Sequence, residues 1–437
     1  MVAINMNGQK VLIVGLGKSG LSAAVKLAGL GAVVTVTDSK KEELFPKDQL
    51  EALTSKGIRL LLGQHPPELV EGLDLVVVSP GVHLDIPIIE LARKNKIPVI
   101  SEIELASRFL SKPIIAITGT NGKTTTTTLI GEMLKAGGKK VAVAGNIGLP
   151  LIEVDDAKLD YVVAEVSSYQ LEAIVDFKPW ISVVLNIQPD HLERHHTIEE
   201  YIAQKARVFS NQTGADHLVY NADDPQVVKM VQGAKARLAP FAKDRAAQII
   251  TLDPTEIKIP GRHNLENALA AAFAARLCGI KDEKISRVLK TFPGVEHRIE
   301  FVRKKKGIEF YNDSKGTNPD STLVAIETFK GRGLVLILGG RDKGVSLDEL
   351  AKKVKESVKA VVLIGEASDR FESALREAEF ANIYRTGFSM GDAVREAYRL
   401  AEKGDVVLLS PACASFDMFS NYEERGRVFK ELCQNLK

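Results

Sequence analysis

Only three cysteines occur in 437 residues, and Cys278, Cys413 and Cys433 have neither disulfide nor zinc-ligand spacing. A disulfide scaffold and a zinc module are both excluded, and a reducing compartment is expected. No apolar run reaches the length needed to span a membrane. The opening residues MVAINMNGQK lack the charged and apolar regions of a signal peptide and lead straight into a strand, so a cytoplasmic location is expected. A dominant charge is missing too: 58 Lys+Arg against 56 Asp+Glu leave a net charge of +2, which argues against a dedicated nucleic-acid binder. The one basic run, Arg303-Lys304-Lys305-Lys306 before Gly307, reads as a hairpin turn. Short internal repeats and low-complexity tracts are absent.

What is present is alternation of strand and helix patterns along a chain long enough for about three domains. Strands are expected near 10–14, 33–37, 58–62 and 74–78, followed by the turn Ser79-Pro80-Gly81. A second series has strands near 114–117, 140–144, 160–164 and 181–185, and closes with helices near 264–279 and 282–291. The turn Phe292-Pro293-Gly294 marks a boundary. A third series has strands near 334–338, 360–364 and 405–409 and helices over 346–358 and 389–402. The expected fold class is α/β, with three consecutive doubly wound domains whose clefts are the places for ligands.

Two glycine loops carry the chemistry. Gly15-Leu16-Gly17-Lys18-Ser19-Gly20 is a complete G-x-G-x-x-G match between the strand Val11–Val14 and a helical run. Asp38 closes the next strand, where a Rossmann domain places the acid that holds a ribose. Alone, this fingerprint points to a dinucleotide enzyme. The second loop, Thr118-Gly119-Thr120-Asn121-Gly122-Lys123-Thr124, follows the strand Ile114–Ile117 and opens a helix over 124–136. Backbone N–H groups at such a turn bind an anion, Lys123 adds a point charge, and the Thr124 hydroxyl can hold magnesium. Ile117 stands where the G-x-x-x-x-G-K-[ST] pattern needs its first glycine. Only the shorter G-x-x-G-K-T fits, which disfavours a motor or signalling nucleotidase.

A phosphate loop at work needs a carboxylate for magnesium at a neighbouring strand end. Glu165 follows Tyr161-Val162-Val163-Ala164 in that position, with Ser167, Ser168 and Gln170 keeping the strand end polar. Asn186-Ile187-Gln188-Pro189-Asp190-His191 leaves the next strand in the same way. Thr197-Ile198-Glu199-Glu200 is a capping box that opens a helix carrying Lys205 and Arg207. By spacing alone Lys205 reads as a solvated helix lysine.

The motifs GTNGKTT (119–125), AEVSSYQLE (164–172), DHLERH (190–195), YIAQKARVF (201–209), NADDP (221–225) and GRHNLENALAA (261–271) resemble those of the Mur ligase family. These are ATP-dependent amide ligases that build the peptide of bacterial cell-wall precursors. GNIGLP (145–150), HRIE (297–300), NDSKGTN (312–318) and SPACASFDMFSNYEERG (410–426) extend the resemblance over the whole chain. They match the branch that joins D-glutamate to UDP-N-acetylmuramoyl-L-alanine through an acyl phosphate. The resemblance implies a UDP-precursor-binding Rossmann-like domain over 1–101, a P-loop-type ATP-binding domain over 102–294, and a Rossmann-like domain over 295–437 for the incoming amino acid.

It also implies roles for single residues. Gly119, Thr120, Asn121, Gly122, Lys123, Thr124 and Thr125 would cradle ATP, with Asn267, Arg298 and Asp313 on the adenine and ribose. Two magnesium sites are implied. Thr124 and Glu165 would hold the first, and His191 with a carbamylated Lys205 the second. Lys315 would face the reacting phosphate, which makes Lys123, Glu165, His191, Lys205 and Lys315 the catalytic set. On the precursor side stand Gly17, Lys18, Ser19, Asp38, Ser39, Lys40, Ser79, Gly81, Asn146, Ser167 and His191. D-Glutamate would meet Lys315, Thr317, Lys343, Ser415 and Tyr422. Tyr422 stands where phenylalanine is expected, and Arg341 where some members carry an acid. GLGKSG would then cradle a diphosphate, not a nicotinamide dinucleotide.

A monomer that meets no nucleic acid is expected. Rival identities fit less well. Folylpolyglutamate synthase lacks a UDP-binding N-terminal domain, and the ligase adding the third peptide residue carries other C-terminal motifs than NDSKGTN. A non-catalytic regulator would have lost some of Lys123, Glu165, His191 and Lys205, and all four are present.

Overall fold

The run Val11-Leu12-Ile13-Val14 is apolar on both faces, the pattern of a central parallel strand covered by helices on either side. In the computed structural model, which describes residues 5–342 and 344–436 apart from the Leu192 side chain, it is the middle of a five-stranded sheet. The strands are β1 (Lys10–Val14), β2 (Val33–Asp38), β3 (Arg59–Leu62), β4 (Leu75–Val78) and β5 (Val99–Ser101), all parallel in the order β3-β2-β1-β4-β5. Ala23, Ala24 and Leu27 of helix Lys18–Gly29 and Leu50 and Leu53 of helix Lys47–Thr54 pack with Val11, Ile13, Val34 and Val36. Ile88, Ile89 and Ala92 of helix Pro87–Lys94 cover Leu12, Val14, Val76 and Val78 on the other face. The order reverses at β1, so the loops after β1 and β4 part and open a crevice.

A second parallel sheet comprises β6 (Ile114–Thr118), β7 (Val141–Gly145), β8 (Tyr161–Glu165), β9 (Ile181–Val184), β10 (His217–Asn221) and β11 (Arg237–Phe241). Its order is β11-β10-β9-β6-β8-β7. The carboxyl ends of β8 and β9 therefore flank the end of β6. Helix Lys123–Ala136 follows β6, and helices Arg262–Leu277 and Asp282–Thr291 come after the sheet. The residues up to Glu256, together with Leu265–Lys290, form one compact unit that holds both sheets.

The other unit comprises Ile257–Asn264 and the residues from Thr291 onward. Its sheet has the order β12-β13-β17-β14-β15-β16, made of β12 (Glu300–Lys305), β13 (Ile308–Asn312), β14 (Leu334–Gly339), β15 (Ala360–Ile364), β16 (Ile383–Arg385) and β17 (Val406–Leu409). Helices cover both faces: Leu350, Val354 and Phe371 lie on one side, and Met390, Val394 and Phe429 on the other. The sheet is mixed, because β12 runs antiparallel to β13 at the edge. The basic run supplies that hairpin. Lys306 and Gly307 both have positive φ (47° and 85°), as a two-residue turn matching the twist of its strands requires.

No helix among the described residues is long and apolar enough to cross a membrane.

Candidate active site

The second glycine loop sits where β6 ends, between the ends of β8 and β9. Gly122 caps helix Lys123–Ala136 with φ 84°, and a Cβ there would stand 2.1 Å from the Asn267 Oδ1. Only glycine meets both demands. The loop is latched to the segment after β9. Asn186 O accepts from the Thr120 N–H (2.9 Å), Asn186 Oδ1 accepts from the Asn121 N–H (2.8 Å), and the Asn121 amide donates to Gln188 Oε1 (2.8 Å). Tyr201, buried, pairs its hydroxyl with Thr120 Oγ1 at 3.1 Å. Thr125 is buried just inside the helix, and Thr126 Oγ1 donates to Asn267 Oδ1 at 3.3 Å.

Two lysines converge on this loop. Lys123 Nζ donates to the carbonyls of Gly119 (2.9 Å) and Thr120 (2.7 Å). Lys205 Nζ, from helix Ile198–Ala206, donates to the same Gly119 carbonyl at 2.9 Å and lies 4.6 Å from the centre of the Tyr201 ring. Lys205 is only 1% exposed, so it is no solvated helix lysine. Burial, and then the positive charge of Lys123, hold its pKa well below the ordinary lysine value, against the pull of Asp190 and Glu165.

Glu165 ends β8, 2% exposed. Its Oε1 accepts from the Asn146 amide at 2.9 Å, and its Oε2 is buried without a hydrogen-bond partner in the protein. A buried carboxylate oxygen with no donor is costly unless a cation takes it. Thr124, a hard hydroxyl donor, is buried at the start of the helix beside β6. These oxygen donors fit magnesium. Asn146, expected on the precursor, is placed against this carboxylate.

His191 has a left-handed backbone (φ 55°). Its ring nitrogens lie 3.5 Å from Asp190 Oδ2 and 3.5 Å from Glu193 Oε1, and its ring packs on Tyr169 at 4.9 Å. Ser167 caps helix Ser168–Leu171 and forms a capping box with Gln170. Sequence reasoning passed over His195 and Arg194. His195 is buried against Ser168 Oγ (2.9 Å), and Arg194 holds Glu172 at 2.5 Å and the Val82 carbonyl at 2.6 Å. Their only signal was membership of DHLERH.

At the first glycine loop Gly17, Lys18, Ser19, Asp38, Ser39, Lys40, Ser79 and Gly81 gather on the carboxyl edge of β1, β2 and β4, whereas Asn146, Ser167 and His191 belong to the second sheet. Ser79 Oγ donates to the Gly15 carbonyl at 2.7 Å. Asp38 accepts from the Leu16 N–H (2.7 Å) and the Lys40 N–H (2.9 Å), so both carboxylate oxygens shape loops. Gly17, Lys18, Ser39, Lys40 and Gly81 are exposed and Ser19 half-buried. The Lys18 ammonium reaches the Gly148 carbonyl, which brings the loop beside the GNIGLP segment.

In the other unit, Asp313 is buried at the end of β13 and accepts from Ser410 Oγ (2.7 Å) and the Ile299 N–H (3.2 Å). Burial lifts its pKa to about 7 against the pull of Ser410 and Arg298. Lys315 lies 5.9 Å over the Tyr422 ring and donates its N–H to the His297 carbonyl at 3.0 Å. Thr317 follows, half-buried, and Ser415 is buried. Arg425, also passed over, donates to the Ser314 carbonyl (2.8 Å) and the Cys413 carbonyl (3.1 Å), tying NDSKGTN to SPACAS. Arg341 donates its N–H to the Ala414 carbonyl (2.9 Å) and pairs with Glu366 at 3.3 Å. Lys343 lies outside the described residues.

A Rossmann-like sheet, a phosphate-loop sheet and a mixed sheet follow one another along the chain. Family models match in the same order: "Mur ligase MurD-like, N-terminal domain" over residues 9–101, "Mur ligase middle domain" over 117–275, and "Mur ligase, glutamate ligase domain" over 297–413. The chain belongs to the Mur ligase family. It is 46% identical over 456 residues to the UDP-N-acetylmuramoylalanine–D-glutamate ligase of Thermoanaerobacter sp. (strain X514), covering 99% of this chain and 100% of that one. The ligase of the same name from Thermoanaerobacter pseudethanolicus is 47% identical at the same coverage. In fold, the chain is similar to the crystal structure of the UDP-N-acetylmuramate–alanine ligase of Thermotoga maritima. That match has a TM-score of 0.59 and 21% identity, covering 98% of this chain and 100% of the other.

Proposed function

We propose that this chain joins D-glutamate to UDP-N-acetylmuramoyl-L-alanine at the expense of ATP, in the synthesis of peptidoglycan precursors. The observation that carries the mechanism is the convergence of Lys123 and Lys205 on the Gly119 carbonyl, in the sheet where Glu165 presents a free carboxylate oxygen. Phosphoryl transfer to the alanyl carboxylate, then attack by the amine of D-glutamate, sets anions against one another, and the demand on the protein is mainly electrostatic and positional. Lys123 balances the β/γ-phosphates. Thr124 and Glu165 would hold one magnesium, and His191 with a carbamylated Lys205 would hold a second. Bound magnesium neutralises phosphate charge and polarises the transferred group. The lowered pKa of Lys205 favours this modification, since only a neutral amine adds carbon dioxide.

Gly119–Thr125, Asn267, Arg298 and Asp313 are the ATP contacts in this proposal, and Lys315 faces the reacting phosphate. GLGKSG, Asp38, Ser39, Lys40, Ser79 and Gly81 hold the UDP end, and Asn146, Ser167 and His191 the rest of the precursor. Thr317, Lys343, Ser415 and Tyr422 receive D-glutamate. The domains run 1–101, 102–294 and 295–437, and the protein works as a cytoplasmic monomer. Incubation with the precursor, ATP, magnesium and D-glutamate should give ADP and a precursor heavier by one glutamyl residue. L-Glutamate should give neither, and equal use of the two enantiomers would refute the proposal.

A further inference from the structure

Helix Lys18–Gly29 runs from the GLGKSG loop and is fastened to the segment 146–153 at two points. The Lys18 ammonium donates to the Gly148 carbonyl, and the Ser22 hydroxyl to the Glu153 carboxylate. Beside the second contact lies a cavity of about 580 Å³, within the range of small-molecule sites. Leu21, Val25, Ala52, Leu53 and Ile152 give it apolar walls, and Lys26 and Lys56 add two cations. Neither ammonium has an ion pair or hydrogen bond among the described residues. The one carboxylate in the wall, Glu153, is already engaged by Ser22. None of the groups assigned to ligation lines this space.

Apolar walls with two unpaired cations complement one kind of ligand. We propose that the cavity binds a small amphipathic organic anion, its apolar body against Leu53 and Ile152 and its charge toward Lys26 and Lys56. The same helix carries Leu21, Val25 and Lys26 along its length and the diphosphate loop at its start. An occupant pressing on the Ser22–Glu153 contact therefore changes the affinity of the precursor site, and precursor changes the affinity of the cavity by the same factor.

The test is a fluorescence titration of the full chain with anilinonaphthalene sulfonate, an aromatic anion of the right character. Saturable binding of one probe per chain is expected, not displaced by ATP. Lys26→Glu combined with Lys56→Glu should weaken it roughly tenfold, a loss of about 1.4 kcal/mol. Ala52→Trp, at an exposed helix position where folding is not at risk, should abolish it. Absence of saturable binding, displacement by ATP, or equal binding by both variants overturns the proposal. The coupling rests on the precursor reading, whereas the titration does not. A saturating probe that leaves the precursor KM unchanged overturns the coupling alone.

Discussion

Lys123 and Lys205 donate to one and the same carbonyl oxygen, that of Gly119, each at 2.9 Å. Two ammonium groups so placed oppose each other's charge, and one of them is almost wholly buried. An entering phosphate, or loss of a proton at Lys205 followed by carbamylation, relieves the conflict. A structural lysine would call for neither.

Lys205→Ala should therefore be nearly inactive, with partial recovery when a short-chain carboxylate is added to fill the vacated metal position. Because its amine is neutral at lower pH than an ordinary lysine, wild-type activity should respond to bicarbonate even below the usual lysine range. Full activity in Lys205→Ala would exclude the carbamate.

Glu165→Gln keeps the shape of the side chain but replaces a carboxylate oxygen by an amide at a place where the protein offers no partner. It and Lys123→Ala should each lower turnover by ~100-fold or more, the scale for removing an electrostatic group at a reacting centre. Steady-state phosphate release measures both. Near-normal turnover in either variant would remove that residue from the ATP site.

Gly17 has ordinary backbone angles (φ −77°, ψ −177°), and no atom lies within 4 Å of where its Cβ would stand. Gly17→Val should fold, yet its side chain would occupy space a diphosphate needs. Its KM for the UDP-precursor should rise while that for ATP stays nearly unchanged, and wild-type protein should show no saturable NADH binding. A defect confined to ATP would reverse the assignment of the two loops.

Both loops could be read from the chain because strand, glycine turn and helix follow in order, and local order needs no tertiary information. Of the β12–β13 hairpin only the turn could be read, and the strands β5, β10, β11 and β16 could not. Three of them are sheet edges, and β5 and β16 have three residues each. β11 carries exposed Arg237 and Leu238 and a proline, tolerable only at an edge. At the site, the burial of Lys205 was invisible from helical spacing, since it depends on the Gly119 loop packing over helix Ile198–Ala206. The clamps made by Arg194 and Arg425 join segments far apart in sequence, and no short pattern carries that.

Glu102 offers a test of stability. It is buried, its Oε1 accepts from the Ile152 N–H at 2.8 Å, its Oε2 has no partner, and burial lifts its pKa from 4.5 to about 7. Between those values the folded chain keeps a proton that the unfolded chain has lost, so stability falls as pH rises through this window and stays lower above it. The loss is on the order of 3 kcal/mol for the full shift. Urea unfolding at about pH 5 and about pH 8 should show a drop in wild type to which Asp313, lifted in the same way, also contributes, and Glu102→Gln should show a drop smaller by the Glu102 share alone. Equal drops would place the charge change elsewhere.

Ligation through an acyl phosphate moves one oxygen of the alanyl carboxylate onto the phosphate that leaves. The decisive measurement is turnover of UDP-N-acetylmuramoyl-L-alanine labelled with heavy oxygen in that carboxylate, with ATP, magnesium and D-glutamate. The released inorganic phosphate should carry a single heavy oxygen, in step with the amide formed. Unlabelled phosphate alongside amide formation would contradict the acyl-phosphate route, and phosphate release without amide would contradict ligation itself.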